Sequence, residues 1–150
     1  MIRLGVLMAG ISLAISTFTP FVRADDWNKY TIITASQPIQ IPDRVLPAGK
    51  YVLKLLHPSA SQRNFVGVYD GNGQHLITTV ITRNDYRKER SGRTVLTFWE
   101  TPAGTPQVLR AWFWPGDYWG EEFVYPESLA AQLAKTSHQQ VPTLEAQKLP

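Results

Sequence analysis

Between Arg110 and Trp119 the chain places five aromatic residues, four of which, Trp112, Trp114, Tyr118 and Trp119, have polar tips, beside one cation, Arg110, and one carboxylate, Asp117. Aromatic rings with polar tips suit a surface that stacks on a sugar, a peptide or another protein, and a guanidinium can lie over an indole face. These six residues are the candidate ligand-binding set. The competing reading is that the rings are the wall of a small core, packed under the charged segment Arg83 to Arg93 or under a C-terminal helix.

Carboxylates are the other groups to weigh. Glycoside hydrolysis needs two, held about 5 to 9 Å apart. Glu121 and Glu122 are neighbours in a β-rich run, so their side chains point to opposite faces and do not form such a pair. Asp117, Glu100 and Glu121 are the remaining set for a small secreted hydrolase, the alternative to a non-catalytic binding module. The chain has no G-x-S-x-G elbow, no glycine-rich phosphate loop and no H-E-x-x-H motif. It has no cysteine, hence no thiol nucleophile, thiolate metal site or disulfide, and His57, His75 and His138 show no ligand spacing. Neither a catalytic residue, a metal ligand nor a cofactor signature is identified.

"DGNGQ" at 70–74 resembles the start of a calcium loop, with Asp70, Asn72 and Gln74 as oxygen ligands. Such a loop requires glycine at its sixth position and glutamate at its twelfth, where this chain has His75 and Ile81. Asp-Gly-Asn-Gly between two β-rich runs is instead the turn of a β-hairpin, because those residues accept positive φ.

The elements that must position these residues are strands. From Lys29 onward, short apolar runs are broken by turn residues about every ten positions, which predicts a single antiparallel β-sandwich of about seven to nine strands. In "YVLKLL" Tyr51, Leu53 and Leu55 form the inward set. In "QVLRAWFW" alternation puts Leu109, Ala111 and Phe113 on the core face and Arg110, Trp112 and Trp114 on the other. "RNDYRKERSGR" reads as a solvated connection between strands, with a basic ligand patch as its alternative. "PESLAAQLAK", 126–135, predicts one helix: proline suits the first helical position, Glu127 and Lys135 match the dipole, and Leu129 and Leu133 share a face. Ten residues are too few for a stable isolated helix, so it must dock on the strands. Residues 136–150 have two prolines and little apolar content, and read as a disordered tail.

The first 24 residues read as a secretory signal: Arg3 begins it, Leu4 to Phe18 are its apolar stretch, and Val22-Arg23-Ala24 is a small-residue cleavage site before Asp25. An uncleaved anchor is the alternative, since the stretch approaches the ~20 apolar residues that span a bilayer. Cleavage leaves no transmembrane segment. It also removes Arg3 and Arg23, leaving 13 basic against 12 acidic side chains, so the pI of 9.3 overstates the basicity of the mature chain. Nucleic acid is therefore not indicated as a partner. The domain expectation is a signal at 1–24, the β-sandwich over 25–135 and the tail over 136–150, in a protein exported to the periplasm or the exterior.

"DDWNKYTIITASQPIQIPDRVLPAGKYVLKLL", "TPAGTPQVLRAWFWPGD" and "EEFVYP" resemble a group of small secreted bacterial β-rich proteins of uncharacterised function, marked by a Leu-Pro-Ala-Gly-x-Tyr turn and a Trp-Phe-aromatic-Pro-Gly-Asp segment. The resemblance spans about Asp25 to Pro126 and implies an exported β domain with no activity to carry over. The function expected is an exported, non-catalytic binding or envelope-associated module that meets a glycan or an envelope protein through its aromatic edge.

Overall fold

The computed structural model describes residues 29–56 and 64–144. The N-terminal segment with its Ala24–Asp25 site, His57 and residues 145–150 lie outside the described residues. Within them the chain forms β1 (Tyr30–Ala35), β2 (Ile39–Ile41), β3 (Arg44–Leu46), β4 (Gly49–Leu56), β5 (Asn64–Asp70), β6 (Leu76–Tyr86), β7 (Val95–Trp99), β8 (Gln107–Phe113), β9 (Trp119–Phe123) and α1 (Glu127–Ser137). The described residues are mostly β with one short C-terminal helix, as the spacing of the apolar runs predicts.

Hydrogen bonds join the strands in one sheet of order β1-β4-β5-β6-β9-β8-β2-β3, with β7 also paired to β8. One pairing departs from the antiparallel expectation: β2 runs parallel to β8, through Ile39 opposite Gln107 and Gln40 opposite Val108, so the sheet is mixed. A three-residue strand carries no mark of its direction in sequence, because pairing direction is decided by the distant partner. Tyr125 ties this junction together, its hydroxyl donating to the Leu109 carbonyl at 2.6 Å and lying 3.2 Å from that of Gln40.

Alternation builds the first half of the core. β1 buries Thr31, Ile33 and Ala35 and exposes the residues between them. In β4, Tyr51 and Leu53 are buried and Leu55 packs against the core, while Val52 is buried as well. β5 and β6 make the expected hairpin: Gly73 has φ +70°, and Asp70 Oδ1 accepts from the backbone N–H groups of Gln74 and His75 at 3.1 and 3.3 Å. Asp70 thus spends its carboxylate on the turn, and no group of His, Asp or Glu among the described residues is placed to hold a metal ion.

Alternation misleads in β8. Thr97 pairs with Ala111 but Phe98 pairs with Leu109, so Arg110 has no partner in β7 and forms a β-bulge. The bulge resets the faces: Leu109, Trp112 and Trp114 enter the main core together. Phe113, expected beside Leu109, is buried outside that cluster, with the Arg87 guanidinium 5.1 Å from its ring and Gly120 opposite it. A Cβ on Gly120 would lie 2.4 Å from Phe113 Cδ1 and 2.5 Å from the Trp112 carbonyl oxygen, so the close strand contact depends on glycine there.

The C-terminal segment also departs from expectation. α1 docks through Ala130 and Leu133, with Leu129 against the core, but runs on to Ser137 and closes with His138 at φ 55°, its N–H donating to the Ala134 carbonyl. Residues 136–144 are not a detached tail: Val141 is part of the core, and the Tyr125 N–H donates to the Pro142 carbonyl at 3.0 Å. One buried valine and one carbonyl leave no periodic signature, which is why the sequence pattern misses them. Among the described residues no helix is long and apolar enough to cross a membrane.

Candidate binding site

The site grows out of the antiparallel pairing of β6 with β9. Directly opposed residues share a face of a sheet, and here the pairs run Tyr86 with Trp119, Asn84 with Glu121, and Thr82 with Phe123. One face of this ladder therefore passes from exposed aromatic rings, through polar side chains, to the core. Tyr86 and Trp119 are 57% and 53% exposed, whereas Glu121 is 2% exposed and Thr82 and Phe123 are fully buried.

At the outer end three rings meet. Tyr86 contacts Trp119 edge to face with centroids 5.3 Å apart, and stacks with Tyr118 at 5.7 Å. The Arg90 guanidinium lies 4.6 Å from the Tyr118 ring. Asp117 organises the preceding turn: its Oδ1 accepts from the backbone N–H groups of Tyr118 at 2.7 Å and Trp119 at 3.2 Å, and its Oδ2 accepts from the Trp114 indole at 3.1 Å. That indole bond above all, with the two backbone donors and the Lys29 ammonium 3.7 Å away, holds the Asp117 carboxyl below the usual aspartate range.

Behind the rings a cleft of about 360 Å³ is lined by Lys29, Leu55, Asn64, Asn84, Trp114, Trp119, Gly120 and Glu121. Glu121 Oε2 accepts from the Thr82 hydroxyl at 2.6 Å, and Asn64 Nδ2 donates to both carboxylate oxygens at 2.9 and 3.1 Å. Asn64 Nδ2 also donates to Asn84 Oδ1. Burial pushes the Glu121 carboxyl up to about 7, against the pull of the Thr82 and Asn64 hydrogen bonds. The neighbouring Glu122 faces the other way, as alternation predicts. Arg83 lies 2.7 Å from one of its oxygens and Arg110 3.5 Å from the other.

The six residues singled out from sequence are thus divided. Trp119 and Tyr118 stand together at the rim, Trp114 is a buried wall of the cleft, and Asp117 shapes the turn behind them. Trp112 does not join them: it is fully buried, with its indole donating to the Thr31 hydroxyl at 3.0 Å. Arg110 is also elsewhere, 4.4 Å over the Trp99 ring and bonded to Gln139. The continuous platform expected of Trp112, Trp114, Tyr118 and Trp119 is therefore corrected: the bulge at Arg110 turns Trp112 and Trp114 inward, and Tyr86 supplies the second exposed ring. Tyr86 was visible only as the lone aromatic residue of the charged segment, whose first residues, Arg83 to Tyr86, belong to β6 rather than to a loop. Asn64 and Asn84 had no signal in sequence, because only pairing across three strands brings them to Glu121.

Two other clefts carry fewer charged groups. One of about 280 Å³ between α1 and residues 101–106 has no titratable lining residue, and one of about 350 Å³ beside Tyr30 and Ile32 has Lys54 as its single charged lining residue. Of the proposed hydrolase set, Glu121 lines the β6–β9 cleft and Glu100 and Asp117 do not. No family model, curated protein or solved structure matches this chain.

Proposed function

We propose that the protein is an exported, non-catalytic β module that holds a glycan of the cell envelope against the edge formed by Tyr86, Tyr118 and Trp119. The observation that carries this reading is the Tyr86–Trp119 pair: two rings, each more than half exposed and in edge contact, at the mouth of a cleft lined with amide and carboxylate groups. Rings of this kind offer a flat face to the C–H surface of a sugar, and the polar groups behind them can meet its hydroxyls. A protein partner would fit the rings equally well but makes less use of the amides behind them. Export is supported by the signal-like N-terminal sequence.

Co-sedimentation with insoluble envelope polysaccharide tests the reading. The wild-type domain is expected in the pellet, and Trp119→Ala and Tyr86→Ala are expected to weaken retention roughly tenfold, the cost of losing one stacked ring. Retention of both variants at the wild-type level would refute the aromatic edge.

A further inference from the structure

We propose that the cleft beside Trp119 receives one uncharged pyranose ring, and that Glu121 and Asn84 select it by hydrogen-bonding its hydroxyls while Trp119 covers one face. This inference rests on the aromatic-edge reading and adds to it the site, the ligand class and the selecting residues.

A carboxylate removed from water is costly unless charge or ample hydrogen bonding compensates it, and a well-packed apolar residue in its place is often no less stable. Glu122 has two arginines, whereas Glu121, buried in register between Asn84 and Trp112, has neutral partners among the described residues. Packing alone gives little reason for a carboxylate there. Its placement does serve recognition, because it is on the lining of a cleft and its bonds to Thr82 and Asn64 fix its orientation.

The donors and acceptors lining the cleft narrow the ligand. The two hydrogens of Asn64 Nδ2 are taken up by Asn84 Oδ1 and the Glu121 carboxylate, so Asn64 is a positioning residue. A carboxyl oxygen carries two lone pairs, and Glu121 Oε1 receives a single hydrogen bond among the described residues. Asn84, exposed, has its carbonyl engaged, and its NH2 group has no partner among the described residues. The cleft thus offers a ring face, the Asn84 amide as a donor and the nearly buried Glu121 carboxyl as an acceptor. An anionic ligand would meet Glu121. A cationic one would meet Lys29, whose ammonium lies 3.7 Å from Asp117 and 5.1 Å from the Trp114 ring centre. A neutral polyhydroxylated ring suffers neither conflict.

Calorimetric titration with cellotetraose, chitotetraose and maltotetraose tests this on wild type, Glu121→Gln, Asn84→Ala and Trp119→Ala, with thermal melts as the folding control. At least one sugar is expected to bind wild type, and all three variants are expected to weaken it tenfold or more. Should Glu121→Gln fail to fold, Asn84→Ala decides. Loss of affinity in Trp119→Ala with affinity within twofold of wild type in Glu121→Gln and Asn84→Ala would overturn the selecting role of the cleft and leave the aromatic edge standing. Unchanged affinity in all three variants would overturn both. Failure of every sugar to bind wild type would overturn the pyranose assignment, and polysaccharide retention that still depends on Trp119 would preserve the edge alone.

Discussion

Two adjacent glutamates show how local environment divides one residue type into two roles. Glu122 lies against the Arg83 and Arg110 guanidinium groups, whereas burial pushes the Glu121 carboxyl up to about 7 against the pull of its neutral hydrogen-bond donors. Because the folded value lies above the ordinary 4.5, the folded chain holds a proton that the unfolded chain has lost between those pH values. The stabilisation from this group is therefore complete below about pH 4.5 and is lost as pH rises through 7. A shift of this size corresponds to about 3 kcal/mol. Denaturation of wild type and Glu121→Gln at pH 5 and pH 8 is expected to show wild type losing on the order of 3 kcal/mol relative to the variant at the higher pH. Asp70 and Asp117, whose carboxyls are lowered, act at more acidic pH and are common to both proteins. A pH-independent difference between the two would mean that Glu121 is solvated.

At the scale of elements, what was legible in sequence was whatever depends on neighbours along the chain. The Asp70-Gly71-Asn72-Gly73 turn, the inward Tyr51 and Leu53, the opposite facing of Glu121 and Glu122 and the docked leucine face of α1 all follow from local spacing. The bulge at Arg110 does not, because it exists only against β7, and it reassigned Trp112, Trp114 and Phe113 at once. Residues 138–144 were equally opaque, since Val141 contributes a single apolar side chain. Their packing makes a clear prediction. A chain ending at His138 is expected to be less stable than one ending at Leu144 by about 2 kcal/mol, through loss of the buried valine and of the Tyr125–Pro142 hydrogen bond. Equal midpoints in chemical denaturation would show that the segment is dispensable.

For the whole molecule, the mixed sheet matters because it gives β6 and β9 a graded face, with core at one end and exposed rings at the other. The cleft lies where the two meet, so a ligand covered by Trp119 would sit against the buried Glu121 carboxyl at the margin of the packed interior. The five tryptophans of the chain make this arrangement measurable. The Trp112 and Trp114 indoles are engaged by Thr31 and Asp117, while Trp119 is exposed at the rim. The most direct test is a proton–nitrogen spectrum of the indole N–H groups, assigned with Trp→Phe variants, during titration with solubilised envelope glycan. The expected result is a saturable shift of the Trp119 signal with the Trp112 signal unmoved. A Trp119 signal that stays in place at saturating glycan would contradict the aromatic edge as the contact surface.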